Sequence, residues 1–257
     1  MASACGHSWI AGPKEEIQPP PIAYSELRAR LEDRSLMADS ISALVDVEFR
    51  RADEVHSADG VLLVQAPDRL YLELDGPFGV ALGALSMMEG RLLLVNWREG
   101  WKWEGTASAA NLAGLGLPTP SPEWLVDLLL GRLLPPKNPD SNIPAEIEAD
   151  PPRYRLEWRV EKNLRVWRIE PFGFRPAEIE EEGAEGMRVK AVMSGEGIDS
   201  ESGRDFPAQI DFQTANARMR LSFSEGLRNP PLEQADFSIP GAESLPATTA
   251  FPGLPLR

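Results

Sequence analysis

The segment RYRLEWRV, residues 153–160, alternates between apolar and charged side chains at every position. Successive side chains of a β-strand point to opposite faces of the sheet, so this pattern predicts a strand. Its apolar face carries Tyr154, Leu156, Trp158 and Val160. The segment ARMRLSFS, residues 217–224, repeats the pattern. Strands of this kind belong to an antiparallel sheet with one face in water and one face dry.

Further segments with the same period occupy most of the chain from Ile41 to Thr106 and from Arg153 to Ser224. Two segments have the helical period instead: residues 25–37, and residues 121–131, where Ser121 is an N-cap candidate and Pro122 takes the first helical position. The second helix is apolar on most of its circumference, which is typical of a buried helix.

The predicted fold is therefore mainly β with two or three helices. A sheet of about eleven strands cannot stay flat, so we expect a single curved antiparallel sheet, a half-barrel, with a helical lid over an apolar cavity. Residues 1–24, rich in proline and charge, are predicted to be an N-terminal tether, residues 25–240 the half-barrel domain, and residues 241–257 a disordered tail. A second proline-rich connection spans residues 135–152.

Composition excludes several classes of function. The net charge of −14 argues against a nucleic-acid partner, and no apolar run reaches the about 18 residues of a membrane span. His7 and His56 are the two histidines of the chain, and neither lies in a nucleophile or metal-ligand motif. We therefore expect no enzyme activity, no metal and no cofactor.

Two short segments are candidates for contact with lipid. Cys5, the single cysteine, follows small residues and precedes a glycine, as at the end of a bacterial lipoprotein signal, so we expect lipidation there; a chance cysteine is the alternative. The turn of Pro77, Phe78, Gly79 and Val80 interrupts two apolar strands. Its phenylalanine either folds back onto the sheet or, as we expect, stays exposed to contact a membrane.

The segment LDGPFGVALGALSMMEGRLLLVNWREGWKWEGTASAANLAGLGLPTPSPEWLVDLLLG, residues 74–131, resembles the middle section of the Lol-type lipoprotein carriers, LolB in particular. That section runs from a strand through an Asn-Pro-Leu-Gly turn and further strands to a short apolar helix ending in Leu-Gly. The lead-in Leu117-Pro118-Thr119-Pro120 is close to the family's Met-Pro-Ile-Pro, and residues 206–225 look like the closing strands of the superfamily.

The resemblance implies a periplasmic carrier that accepts acylated lipoproteins or other lipids and delivers them to the outer membrane, anchored there through Cys5. Its expected partners are acyl chains, the inner leaflet of the outer membrane and a periplasmic carrier protein. The expected cavity is lined by Leu70, Leu72, Leu74, Leu93, Val95, Trp124, Leu125, Leu128 and Leu129. Two alternatives stay open: a filled core in place of the cavity, and a non-catalytic regulatory or structural outer-membrane lipoprotein with the same fold.

Overall fold

The computed structural model describes residues 19–35, 38–51, 54–117, 119–137, 145–149, 151–160, 163–182, 188–196, 207–214 and 217–249. They form one antiparallel sheet of thirteen strands with three helices. The strands are β1 (Ser40–Arg51), β2 (Glu54–Gln65), β3 (Arg69–Gly76), β4 (Val80–Met88), β5 (Arg91–Asn96), β6 (Trp101–Thr106), β7 (Glu146–Ala149), β8 (Pro152–Val160), β9 (Asn163–Ile169), β10 (Pro176–Glu182), β11 (Arg188–Glu196), β12 (Pro207–Gln213) and β13 (Ala217–Arg228). The helices are α1 (Tyr24–Ser35), α2 (Ala109–Gly114) and α3 (Pro122–Leu129).

The sheet is a meander whose last strand returns to its first. Its spatial order is β6-β5-β4-β3-β2-β1-β13-β12-β11-β10-β9-β8-β7, and the two end strands do not pair with each other. The sheet is curved and unclosed, as the sequence predicts. The strand count exceeds the about eleven expected, and the proline-rich connection contributes β7, where the sequence predicts no strand.

One of the other two helices is predicted and one is not. The helix α1 covers most of the predicted residues 25–37 and is amphipathic, burying Leu27 and Leu31 on one face and leaving its charged residues on the other. The helix α2 is one the sequence does not predict, and its N-cap is Ser108, whose Oγ accepts a hydrogen bond from the Asn111 N–H. Both helices contribute side chains to the main apolar cluster inside the curve of the sheet.

The two faces of the sheet differ as the alternation predicts over β7 to β13. Inward-facing residues of these strands belong to the main apolar cluster, whereas the outward face carries ion-pair networks. Arg168 contacts Glu148, Glu178 and Glu180 there. Burial alone would raise the pKa of Glu178, but bonds from Lys190 and Glu180 and the charges of Lys190 and Arg168 hold it below its ordinary value.

The outer face of β3 to β5 is not exposed to water, because the C-terminal segment covers it. Phe237, Ile239 and Ala242 pack there against Tyr71 and Val95 in a second apolar cluster. The Ser86 hydroxyl donates to the Phe237 carbonyl at 2.5 Å. Residues 246–248 then follow the edge strand β6 through backbone bonds to Lys102.

The predicted C-terminal boundary needs correction, whereas residues 1–18 of the predicted tether lie outside the described residues. The expectation of a disordered tail from residue 241 is wrong for residues 241–249, which are ordered on the sheet; residues 250–257 lie outside the described part of the chain. At the other end, residues 19–23 of the predicted tether contact the domain, since the Tyr154 hydroxyl donates to the Pro20 carbonyl at 2.9 Å. An ordered segment along β6 also blocks pairing of that edge with another chain.

Candidate functional site

The inner face of the sheet is a continuous apolar surface. Leu70, Leu72 and Leu74 of β3 all point inward and are almost completely buried. Leu85 of β4 and Leu94 of β5 extend the surface across the neighbouring strands, in register with Leu72. The sequence therefore places the residues of β3 on the correct face.

The assignment of Leu93 and Val95 to this surface is wrong. Both belong to the second cluster, on the outer face beneath the C-terminal segment, and their neighbours Leu92 and Leu94 face inward instead. A shift of one residue moves every side chain of a strand to the other face. The run of four apolar residues at 92–95 hides the period, because β5 is buried on both sides.

The helix α3 lies over this surface as the sequence predicts for a lid. Five of its eight residues are buried: Trp124, Leu125, Val126, Leu128 and Leu129. Ser121 caps it, with its Oγ accepting the Trp124 N–H at 3.2 Å, and Pro122 follows at the first position. The four predicted lid residues thus lie with the inward leucines of β3 in one apolar cluster. The lid is closed over its floor.

A buried carboxylate holds the N-terminal end of the lid. Glu181 of β10 is 2% exposed, and its Oε1 accepts the indole N–H of Trp124 at 3.0 Å. Its Oε2 lies 3.4 Å from Nη2 of Arg165, the residue beside it in β9. Burial raises the pKa of Glu181, whereas Arg165 and the indole groups of Trp124 and Trp167 oppose the rise. This buried charge is therefore partly compensated by polar neighbours.

Sequence reasoning misses Glu181 and Arg165 as residues of the site. An acidic run normally indicates a solvated strand, and residues 178–182 fit that pattern by composition. The signal that would find Glu181 is its spacing, because it follows the inward Ile179 by two residues. Arg165 precedes the inward Trp167 by the same interval.

The C-terminal end of the lid is held by charge. Arg132 forms an ion pair with Asp39, and its Nε lies 3.7 Å from Asp127 of α3. Burial raises the pKa of Asp127; Arg132 lowers it and Glu123 adds to the rise. The chain then passes α1, where Arg28 donates to the Pro135 carbonyl at 3.1 Å. These contacts at exposed sites are individually weak.

The Phe78 ring is fully exposed, as the sequence predicts. Its relative accessibility is 104%, and Val80 beside it is 60% exposed. Pro77–Gly79 form one 3-10 turn in which Phe78 has a φ of 65° and Gly79 a φ of 69°. By strand alternation this turn lies at the rim of the sheet where β8 ends and β9 begins, which is also the end of the sheet that carries Glu181.

Acidic residues lie on the outer face close to this turn. Asp46, Asp59 and Asp75 are adjacent across β1, β2 and β3. Burial raises the pKa of Asp46, and the hydrogen bond and charge of Asp59 add to the rise; burial and the charges of Glu73 and Asp59 raise the pKa of Asp75. Within the described residues, no group of three or more His, Cys, Asp or Glu side chains is arranged to hold a metal ion. The row therefore forms an acidic patch on the outer face beside this turn.

The remaining predicted residues are placed as follows. Cys5 and His7 lie outside the described residues, so lipidation at Cys5 stays a prediction. His56 is near the start of β2, with its Nε2 3.5 Å from Glu54. Among the described helices, none has the length and apolar character needed to cross a membrane.

Comparison with solved structures identifies the architecture. A LolA superfamily protein from Nitrosomonas europaea matches with a TM-score of 0.53 and 14% identity, over 85% of this chain and 98% of its own. A DUF1329 family protein from Desulfovibrio piger matches with a TM-score of 0.59 and 13% identity, over 83% and 95%. A domain from Vibrio parahaemolyticus, named for outer membrane lipoprotein sorting, matches with a TM-score of 0.53 and 13% identity, over 83% and 95%.

No protein-family model matches the sequence, and no curated protein matches it. The structural likeness nevertheless spans almost the whole length of each of these three proteins. The chain has a Lol-type fold.

Proposed function

We propose that this protein is a non-catalytic carrier that binds acylated lipids, including the acyl chains of lipoproteins, between α3 and the inner face of its sheet. The observation that carries the proposal is the closed apolar lid: the buried side chains of α3 lie on an apolar sheet surface. The Lol-type fold and the lipoprotein-sorting name of one structural neighbour support the same function.

The helix α3 and a bound acyl chain would gain comparable free energies from burial on this surface. Burying an apolar side chain contributes about 2 kcal/mol, so the five buried side chains of α3 contribute about 10 kcal/mol. An acyl chain of about sixteen carbons, at about 0.8 kcal/mol per methylene, offers about 12 kcal/mol. A ligand that displaces α3 would therefore replace most of the apolar contact that the lid loses. Few polar contacts oppose the movement, chiefly those of Trp124 and Arg132.

The proposal also covers where in the cell the protein acts. We place the protein in the bacterial envelope, anchored through Cys5 to the outer membrane, with Phe78 contacting the inner leaflet during delivery. Support comes from the small residues around Cys5 and the full exposure of the Phe78 ring. A periplasmic carrier is the expected donor of the ligand.

Lipid analysis of the purified chain tests the proposal. The full chain is expressed in a bacterium with two membranes, purified without detergent, and examined by native mass spectrometry and lipid extraction. We expect bound acyl lipid in near-stoichiometric amount, and accelerated transfer of a fluorescent diacylated lipopeptide between vesicles. A chain that carries no lipid and does not bind the lipopeptide would favour the filled core and the regulatory or structural alternative.

A further inference from the structure

The inner face carries a small polar site in otherwise apolar surroundings. Trp158 of β8, Arg165 of β9 and Glu181 of β10 lie side by side in register across the three strands. Trp167, also on β9, packs edge-on against Trp158, with ring centroids 5.3 Å apart and an interplanar angle of 65°. Both indoles belong to the main apolar cluster. The next row of inward residues is apolar, so the polar groups are confined to one end of the surface.

The hydrogen bonds of this site are incomplete. Glu181 accepts a hydrogen bond from the Trp124 indole and forms an ion pair with Arg165, so the carboxylate, the Trp124 indole and Arg165 all have partners. Trp158 and Trp167 are 5% and 1% exposed, and neither indole nitrogen makes a hydrogen bond of good geometry among the described residues. The Trp167 indole is near enough to Glu181 to oppose the rise of its pKa, but the two groups are not aligned as a well-formed hydrogen bond. Buried donors are satisfied in the great majority of native proteins, because an unpaired one is costly. Two orphan donors side by side therefore point to an acceptor supplied by a ligand.

We propose that the indole N–H groups of Trp158 and Trp167 bind the ester carbonyl of an acyl lipid whose chain lies along the inner face. This inference rests on the proposed function and specifies the ligand as an ester-linked acyl lipid. An indole nitrogen can only donate, and it is neutral, so a carbonyl oxygen is a matching partner.

The charge of the site selects against anionic head groups. Arg165 already has a carboxylate partner in Glu181, so this arginine, the cation that the described residues place in the polar row, is already compensated and is not free to bind a carboxylate or phosphate. A second anion beside Glu181 would be repelled in a site of low dielectric constant. A neutral ester meets no such repulsion.

The position of the site fits an amphiphile. Trp158 lies near the end of β8 and Arg165 near the start of β9, at the rim that also carries the Phe78 turn. A lipid that enters at this rim would leave its ester at the polar row while its chain extends over the inward leucines. The site therefore combines apolar and hydrogen-bonding groups in the order that an ester lipid presents them.

The test compares two lipids that differ in one carbonyl: 1-monooleoylglycerol and its ether analogue 1-O-oleylglycerol. Binding to the full chain is measured by native mass spectrometry and by displacement of a fluorescent acyl probe. We expect the wild-type chain to bind the ester about tenfold more tightly than the ether. In a Trp158→Phe, Trp167→Phe chain, which keeps a smaller aromatic ring at each position and removes both donors, the two affinities should become equal. Trp97→Phe, on the outer face, is the matched control and should keep the preference.

Spectroscopy gives an independent measurement on the wild-type chain. In ¹⁵N-labelled protein, the indole resonances of Trp158 and Trp167 should shift on addition of the ester and much less on addition of the ether. If the wild-type chain binds both lipids equally, the carbonyl site is wrong while the lipid-carrier function stands. If it binds neither lipid, both proposals are overturned. The wild-type comparison decides the matter even where the double variant fails to fold.

Discussion

The exposed Phe78 ring allows the contribution of one side chain to folding to be separated from its contribution to function. The ring is as exposed as in an extended peptide, so it contributes no burial to folding. Phe78→Glu should therefore change the free energy of unfolding by less than about 0.5 kcal/mol, the usual range for a surface substitution. Urea denaturation of the two chains measures this change.

The backbone at this position strengthens the argument. Phe78 has a φ of 65°, in the left-handed region that costs a residue with a side chain about 1 kcal/mol. Glycine has no such cost there. Phe78→Gly should thus keep or slightly raise stability while removing the ring. Glycine would suit this turn at least as well for stability, which supports the proposal that Phe78 contacts a membrane.

The free energy of the proposed membrane contact follows from transfer of the Phe78 ring out of water. Moving a phenylalanine ring from water into a bilayer interface contributes about 2 kcal/mol, or a factor of about 30 in the partition constant. Co-sedimentation with neutral phosphatidylcholine vesicles should show at least this loss for Phe78→Glu. Phe172, 71% exposed at the opposite rim, offers the control: Phe172→Glu adds the same charge and should change vesicle binding little.

Two results would refute this reasoning. Equal losses for Phe78→Glu and Phe172→Glu would show that added negative charge, and not the ring at this rim, governs membrane binding. A loss of several kcal/mol in stability for Phe78→Glu with vesicle binding unchanged would show that the ring packs in the folded chain.

Three further predictions concern other parts of the chain. Burial raises the pKa of Glu181, so its contribution to stability is complete below the unfolded pKa and is lost as pH rises through the folded one; the stability of wild type relative to Glu181→Gln, measured by urea titration, should therefore fall as pH rises above the ordinary glutamate pKa of about 4.3. Phe237→Ala should cost about 3–5 kcal/mol in thermal or urea unfolding, because the ring is fully buried on the outer face, and an unchanged midpoint would mean that the C-terminal segment does not pack. Palmitate should label the full-length protein but not Cys5→Ser in cells, and equal labelling of both would exclude lipidation at Cys5.

The sequence predicts most of this fold because alternation is unambiguous where one face of the sheet is wet. In β8, every outward residue is charged or polar, so Trp158 is assigned to the correct face. The same rule identifies the inward leucines of β3. The lid helix is equally clear, since Ser121 and Pro122 define its start and its apolar residues exceed one face. Local patterns suffice for these elements because local chemistry determines them.

Prediction fails where a strand is buried on both faces. Residues 92–95 of β5 form a continuous apolar run. Such a run does not show which residues face inward, so Leu93 and Val95 are assigned to the wrong face. The run is itself informative, because a strand of an antiparallel sheet with one wet face should alternate. An unbroken apolar run therefore indicates a second covering element, and the segment around Phe237 is that element. The sequence assigns Phe237 and Ile239 to the domain but does not indicate that they cover β5, although they supply the apolar contacts that β5 requires. The local pattern alone therefore shows neither which residues of β5 face inward nor that the C-terminal segment is ordered. Both depend on the packing of this segment against β5.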